Sequence, residues 1–171
     1  MERRKFRQAG LGAIMLGMLA IAATPAFPRD SLGVFSEWGA FRDAAVPRCY
    51  AIAKAEPSRL QRDFDPYASV GTWPRRKVRN QLHLRLSRKT APNSAITLKI
   101  GSRSFTLTGS GGNAWAKDRA MDAAIVAAMR SATSMTVSAR GADGRGFSNT
   151  YQLAGAATAM DAATVGCARI R

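Results

Sequence analysis

The amino-acid sequence predicts a mainly β protein, an antiparallel β-sandwich with two short helices and one disulfide. Three observations predict it. Apolar and polar residues alternate with a period of two through the middle of the chain, as in Leu82, Leu84 and Leu86 against His83, Arg85 and Ser87. Glycine-rich breaks at Gly101-Ser102, Gly109–Asn113 and Gly141–Gly146 separate these runs. Helical spacing occurs in only two places, both rich in alanine. With 171 residues, 46% of them hydrophobic, the chain is long enough for one core and too apolar for disorder.

The elements follow in order. Residues 1–26 read as an export signal. Arg3, Arg4, Lys5 and Arg7 precede the 13-residue apolar run Leu11–Ala23, and Thr24-Pro25-Ala26 offers a small-x-small cleavage site, so the mature chain is expected to begin near Phe27. The run is short of the roughly 20 residues that a membrane span needs, which disfavours a retained anchor. Arg3-Arg4-Lys5-Phe6 also resembles a twin-arginine export motif, but paired arginines are common in ordinary signal peptides, which favours general secretion. Either route leads to the periplasm or the exterior. The single domain then occupies residues 27–171. Val34 to Phe41 and Cys49 to Ala53 read as short strands, and residues 54–79 as an irregular surface stretch broken by Pro57, Pro66, Gly71 and Pro74.

Leu82–Leu86 is a half-buried strand. Ile96, Leu98 and Ile100 pair with Phe105 and Leu107 through a tight hairpin that needs positive φ at Gly101. Met135, Val137 and Ala139 pair with Phe147, Tyr151 and Leu153 in a second hairpin. The first helix starts at an Asp118 cap and presents Met121, Ile125 and Met129. The second, Ala156–Ala168, presents Met160, Ala163, Thr164 and Cys167 and returns Cys167 towards the strand that bears Cys49. In an oxidising compartment an isolated cysteine pair such as Cys49 and Cys167 joins as a disulfide. A reactive thiol is the other reading, and it would need a basic partner to lower its pKa.

Charge is the strongest chemical feature. Lys and Arg number 26 against 11 Asp and Glu, a net +15, and removing four basic and one acidic residue with the leader leaves 22 against 10, or +12. Arg75, Arg76, Lys77, Arg79, Arg85, Arg88 and Lys89 crowd into 15 residues with His83 among them. On a strand, Arg79, Gln81, His83 and Arg85 share one face, opposite the leucines. Such a stripe attracts anionic lipid, lipopolysaccharide or acidic glycan, and export makes nucleic acid the least favoured partner. An ordinary solvated face is the plain alternative.

Catalytic signals are sparse. His83 is the only histidine, and no G-x-S-x-G, H-E-x-x-H or P-loop pattern occurs, so no catalytic residue, metal ligand or cofactor is expected. Gly109–Gly112 lacks the following Lys of a phosphate loop, and Asp63 with Asp65 is an isolated D-x-D.

Taken in order, the leader, Glu37-Trp38-Gly39-Ala40-Phe41, Cys49, the alternating strands and the closing Tyr151–Ala156, Met160–Ala163 and Cys167 resemble the invasion-associated locus B family over residues 33–168. The resemblance implies a periplasmic or secreted, envelope-associated β-sandwich with no established enzymatic activity. The expected function is therefore non-enzymatic: an exported protein whose Arg75–Lys89 patch contacts anionic envelope material. The alternatives are a protein-interaction module using Trp38, Trp73 and Trp115, or an enzyme whose site the sequence does not display.

Overall fold

The period-two patterning becomes ten strands in a computed structural model that describes residues 29–43 and 45–168. The expected leader, 1–26, lies outside the described residues. The strands are β1 (Asp30–Phe35), β2 (Trp38–Asp43), β3 (Arg48–Lys54), β4 (Tyr67–Trp73), β5 (Val78–Arg85), β6 (Ile96–Ile100), β7 (Arg103–Ser110), β8 (Asn113–Trp115), β9 (Ser134–Arg140) and β10 (Gly146–Gln152). They form one antiparallel ladder in the order β1-β2-β3-β4-β5-β8-β7-β6-β9-β10. The ladder curls so that β10 returns against the start of β2 and the chain just after β3. Trp38 Nε1 donates to the Gln152 carbonyl at 2.8 Å, and Glu56 N donates to the Thr150 carbonyl at 2.8 Å. The enclosed faces share a single core in which Trp38, Leu82, Leu84, Leu98, Val137 and Tyr151 are fully buried.

Two turns obey the expected glycine chemistry. Gly101 sits at φ 56° in the β6–β7 hairpin, and Gly111 and Gly112 at φ 58° and 87° join β7 to β8 in two residues. In the second hairpin Met135 faces Tyr151 and Ala139 faces Phe147, but Val137 faces the buried Asn149. Leu153 falls just beyond the strand, where its N–H reaches the Thr133 carbonyl.

Two expectations fail near the start of the chain. Val34–Phe41 is not one strand: Ser36 turns at φ 49°, and β1 folds back on β2. Residues 54–79 are not irregular throughout, because β4 runs centrally between β3 and β5. Its inner face is Ala68, Val70 and Thr72 and its outer face Tyr67, Ser69, Gly71 and Trp73, so each face mixes apolar and polar residues and no polarity alternation marks the strand. Pro66 and Pro74 bracket the strand instead of breaking it. The remaining loop, 55–66, is tied down where Asp63 N and Phe64 N both donate to the Ser87 carbonyl at 2.8 and 3.2 Å.

Helix α1 (Arg119–Met129) begins where Asp118 accepts from Met121 N at 2.8 Å, and it buries Ile125, Val126 and Met129. Helix α2 (Ala156–Ala168) buries Ala156, Ala159, Met160, Ala163 and Cys167 along one stripe, and these small residues seat it on β1, β2 and β3. Thr164 lies off that stripe, exposed, with its hydroxyl on the Met160 carbonyl. The helix delivers Cys167 to Cys49, with Cα atoms 5.6 Å apart and the sulfurs bonded. Among the described residues no helix is long and apolar enough to cross a membrane.

Candidate functional site

The eight basic-patch residues do not form one surface, and the cause is a β-bulge. Between the pairs Gly71–Gln81 and Trp73–Val78, β5 carries one more residue than β4. Asn80 takes up the excess at φ 52°, a conformation that asparagine tolerates, while its N–H donates to Thr72 Oγ1 at 3.2 Å. The bulge corrects the expected stripe: Gln81, His83 and Arg85 face outward, whereas Arg79 turns towards the two helices.

Arg79 there meets Lys77, held at φ 54° at the end of a 3-10 turn over Pro74–Arg76. Together with Asn80 they line two adjoining grooves. One, of about 380 Å³, runs past Thr164 and Cys167; the other, of about 490 Å³, runs along α1 past Arg119, Ala123, Val126, Ala127 and Arg130. Arg119 Nη2 donates to the Lys77 carbonyl at 3.3 Å, tying α1 to the turn. Arg130 is committed to both Asp161 oxygens. Among the described residues, Lys77, Arg79 and Arg119 make no ion pair, and Arg75 and Arg76 stand exposed on the same turn. A positively charged groove with an apolar floor results.

The rest of the patch is spent elsewhere. The Arg85 guanidinium lies 3.6 Å above the Phe64 ring, and Arg88 pairs with Asp143 at 2.8 Å. Lys89 is exposed beyond the far end of β5. A strand of eight residues spans roughly 26 Å, well past the Debye length of about 8 Å at physiological salt, so the two ends of β5 act independently.

His83 sits on the outer face of β5 among aromatic rings. It stacks on Trp115 at 5.1 Å, meets the edge of Tyr67 at 5.5 Å, and its Nε2 lies 3.1 Å from Asn113 Oδ1. Burial, aided by the nearby Arg85 and Arg48 charges, lowers its pKa against the favourable Asn113 bond, so the ring is neutral at neutral pH. Trp73 and Trp115 are half-buried on this face. Trp38 is wholly buried, which removes it from any interaction surface.

One buried carboxyl has no counterpart among the expected site residues. Asp122 on α1 accepts from Leu82 N at 2.8 Å, past the end of β8, where β5 has lost its strand neighbour. Burial raises its pKa, the bond from Leu82 N opposes the rise, and the Asp118 charge adds to it. Its role is structural. The sequence signal was present: a lone acidic residue four after the Asp118 cap, on the same turn as the apolar Ile125. Among the described residues no three His, Cys, Asp or Glu side chains are grouped to hold a metal ion.

Residues 47–164 match the family model described as Invasion associated locus B (IalB) protein, a span that runs from the turn before β3 to the last turns of α2. The chain belongs to the IalB family. No curated protein and no solved structure matches it. IalB proteins are generally exported, and membership supports an exported, envelope-associated protein. The groove along α1, with Lys77, Arg79 and Arg119, lies inside the matched span, while the adjoining one extends past it to Cys167.

Proposed function

We propose that this IalB protein is a non-enzymatic envelope protein that is exported by its N-terminal leader and contacts phosphate-bearing envelope lipid through the Lys77–Arg79–Arg119 groove. The observation that carries the reading is convergence: a bulge, a left-handed lysine and a helix start bring three cations to one concave site without a carboxylate among its lining residues. Phosphate is a small, multiply charged acceptor, and arginine offers it parallel N–H donors. The apolar floor of Ala123, Val126 and Ala127 adds surface for the glycerol or acyl region beside the headgroup. The non-enzymatic part rests on His83, whose ring is packed between Tyr67 and Trp115 with Asn113 as its polar partner, while the hydroxyl of the facing Ser69 turns to the His83 carbonyl rather than to its ring.

Sedimentation with phosphatidylglycerol vesicles, and separately with purified lipopolysaccharide, tests the contact. Each cation near an anionic surface contributes about 1 kcal/mol, so replacing Lys77, Arg79 and Arg119 by Ser is expected to weaken binding roughly hundredfold. A charge-matched variant at Lys54, Lys99 and Arg145 should lose far less, and affinity should fall as salt rises. Equal losses in the two triple variants would reduce the interaction to net charge and overturn the groove.

A further inference from the structure

The outer face of β3, β4, β5 and β8 carries a second cleft, of about 450 Å³, that shares no residue with the cationic groove. Tyr50, Tyr67, Trp73, His83 and Trp115 line it, with Ser69 and Gln81 between the rings and Arg29 and Arg48 at its side. Aromatic rings do not collect on the outside of a sheet for the sake of the core, which here is closed by Leu82, Leu84 and Ala114 on the opposite face.

Local sequence builds this arrangement. Gly71 lets Trp73 lie flat along its own strand, since a Cβ at that position would stand 2.7 Å from the indole. The β-branched and aliphatic residues usual on an outer strand face are nearly absent: Ile52 is the one aliphatic side chain in the lining. The Arg48 guanidinium rests 4.6 Å above the Tyr50 ring, which holds it in place. Its Nε is buried without a hydrogen bond and forms an ion pair with Asp43 at 3.5 Å, a carboxylate that lies outside the cleft. Among the described lining residues there are two arginines and no acid.

We propose that this cleft binds an acidic saccharide, with sugar rings lying against the Trp73, Tyr67 and Trp115 side chains and a sugar carboxylate held by Arg48. A pyranose ring has apolar C–H faces and a polar equatorial rim, which matches flat aromatic surfaces interrupted by Ser69 and Gln81. A lipid tail would need an aliphatic lining that the cleft lacks. The sugar carboxylate adds an acceptor inside the cleft for Arg48, whose Asp43 partner stays outside it, and for Arg29, which makes no ion pair among the described residues, and the planar Arg48 guanidinium donates N–H bonds to it. The volume lies within the roughly 300–1,000 Å³ usual for small-ligand clefts.

Indole fluorescence of the full chain reports on Trp73 and Trp115 directly. A short oligosaccharide of uronic acids should shift it saturably at about 0.15 M salt, where the Debye length is about 8 Å and distant charge is screened. A neutral glucose oligosaccharide of equal length should bind at least about tenfold more weakly if the carboxylate contact is made. Arg48→Gln and Trp115→Leu should each weaken binding roughly five- to tenfold. Gly71→Ala, which keeps every binding group but displaces the Trp73 ring, should do the same with an unchanged unfolding midpoint. The Lys77, Arg79 and Arg119 triple variant should bind the sugar as the wild type does, which separates this site from the groove. Absence of a saturable shift overturns the proposal. So does tighter binding of a short oligothymidine, which would make the cleft a base-stacking surface, or loss in the groove variant equal to that in Arg48→Gln.

Discussion

Breaking the Cys49–Cys167 bond is the most informative perturbation of the fold. The cysteines are 118 residues apart in sequence, so the bond closes a loop that takes in β4 to β10 and both helices. The loop-closure entropy for that length is about 16 cal/mol/K, which corresponds to about 4.9 kcal/mol at 25 °C. A domain of this size has a stability of about 5–15 kcal/mol, so the bond supplies a large share of it. The expected loss is comparable in the reduced wild type and in the Cys49→Ala/Cys167→Ala variant, with a further small cost in the variant because both side chains are buried. Urea unfolding followed by far-UV circular dichroism measures it. With a slope of about 2 kcal/mol/M the midpoint should fall by about 2.5 M. A fall below about 0.5 M would show that the sheet already holds the ends of this loop together in the unfolded ensemble, and would refute the entropic reasoning.

Other perturbations have equally defined outcomes. Asp122→Ala leaves the buried Leu82 N–H without its acceptor and should cost about 1–3 kcal/mol in urea unfolding, whereas Asp122→Asn keeps an acceptor and should cost under about 1 kcal/mol. Gly155→Ala should cost at least about 2 kcal/mol or prevent folding, because the glycine has φ 83° and an added Cβ would lie 1.8 Å from the Phe35 carbonyl oxygen. Since burial holds the His83 pKa below its ordinary 6.5, the unfolded chain binds a proton more readily than the folded one just below that pH. Stability should therefore fall as pH drops below about 6.5 and level off beneath the folded pKa, and His83→Gln should remove that part of the pH dependence.

Much of the architecture was legible because it rests on strict alternation. The runs at Leu82–Leu86, Ile96–Ile100 and Phe105–Leu107 are buried as the sequence pattern requires, and the Asp118 cap and both helices lie where their spacing puts them. The disulfide was legible from arithmetic and compartment rather than from geometry. What stayed hidden has physical reasons. The β4 strand hides because Ala68, Gly71 and Thr72 blur the polarity contrast that marks a strand. The basic stripe fails at Arg79 because a single-residue bulge at Asn80 reverses the facing of everything before it, and no period-two count contains a bulge. The Lys77–Arg79–Arg119 groove could not be foreseen, since Arg119 comes from a helix 40 residues away and only packing places it beside the turn. Trp73 and Trp115 were visible as residues, but their shared face with Tyr67 and His83 depends on strand order, which places β8 next to β5.

Intact-mass measurement of the protein recovered from the periplasm or medium of its native host tests export and oxidation in one spectrum. A chain starting near Phe27, lighter by two hydrogens than the fully reduced form and gaining them on treatment with a thiol, is the expected result. A full-length mass from Met1 with both cysteines reactive towards an alkylating agent before reduction would contradict an exported, disulfide-closed envelope protein.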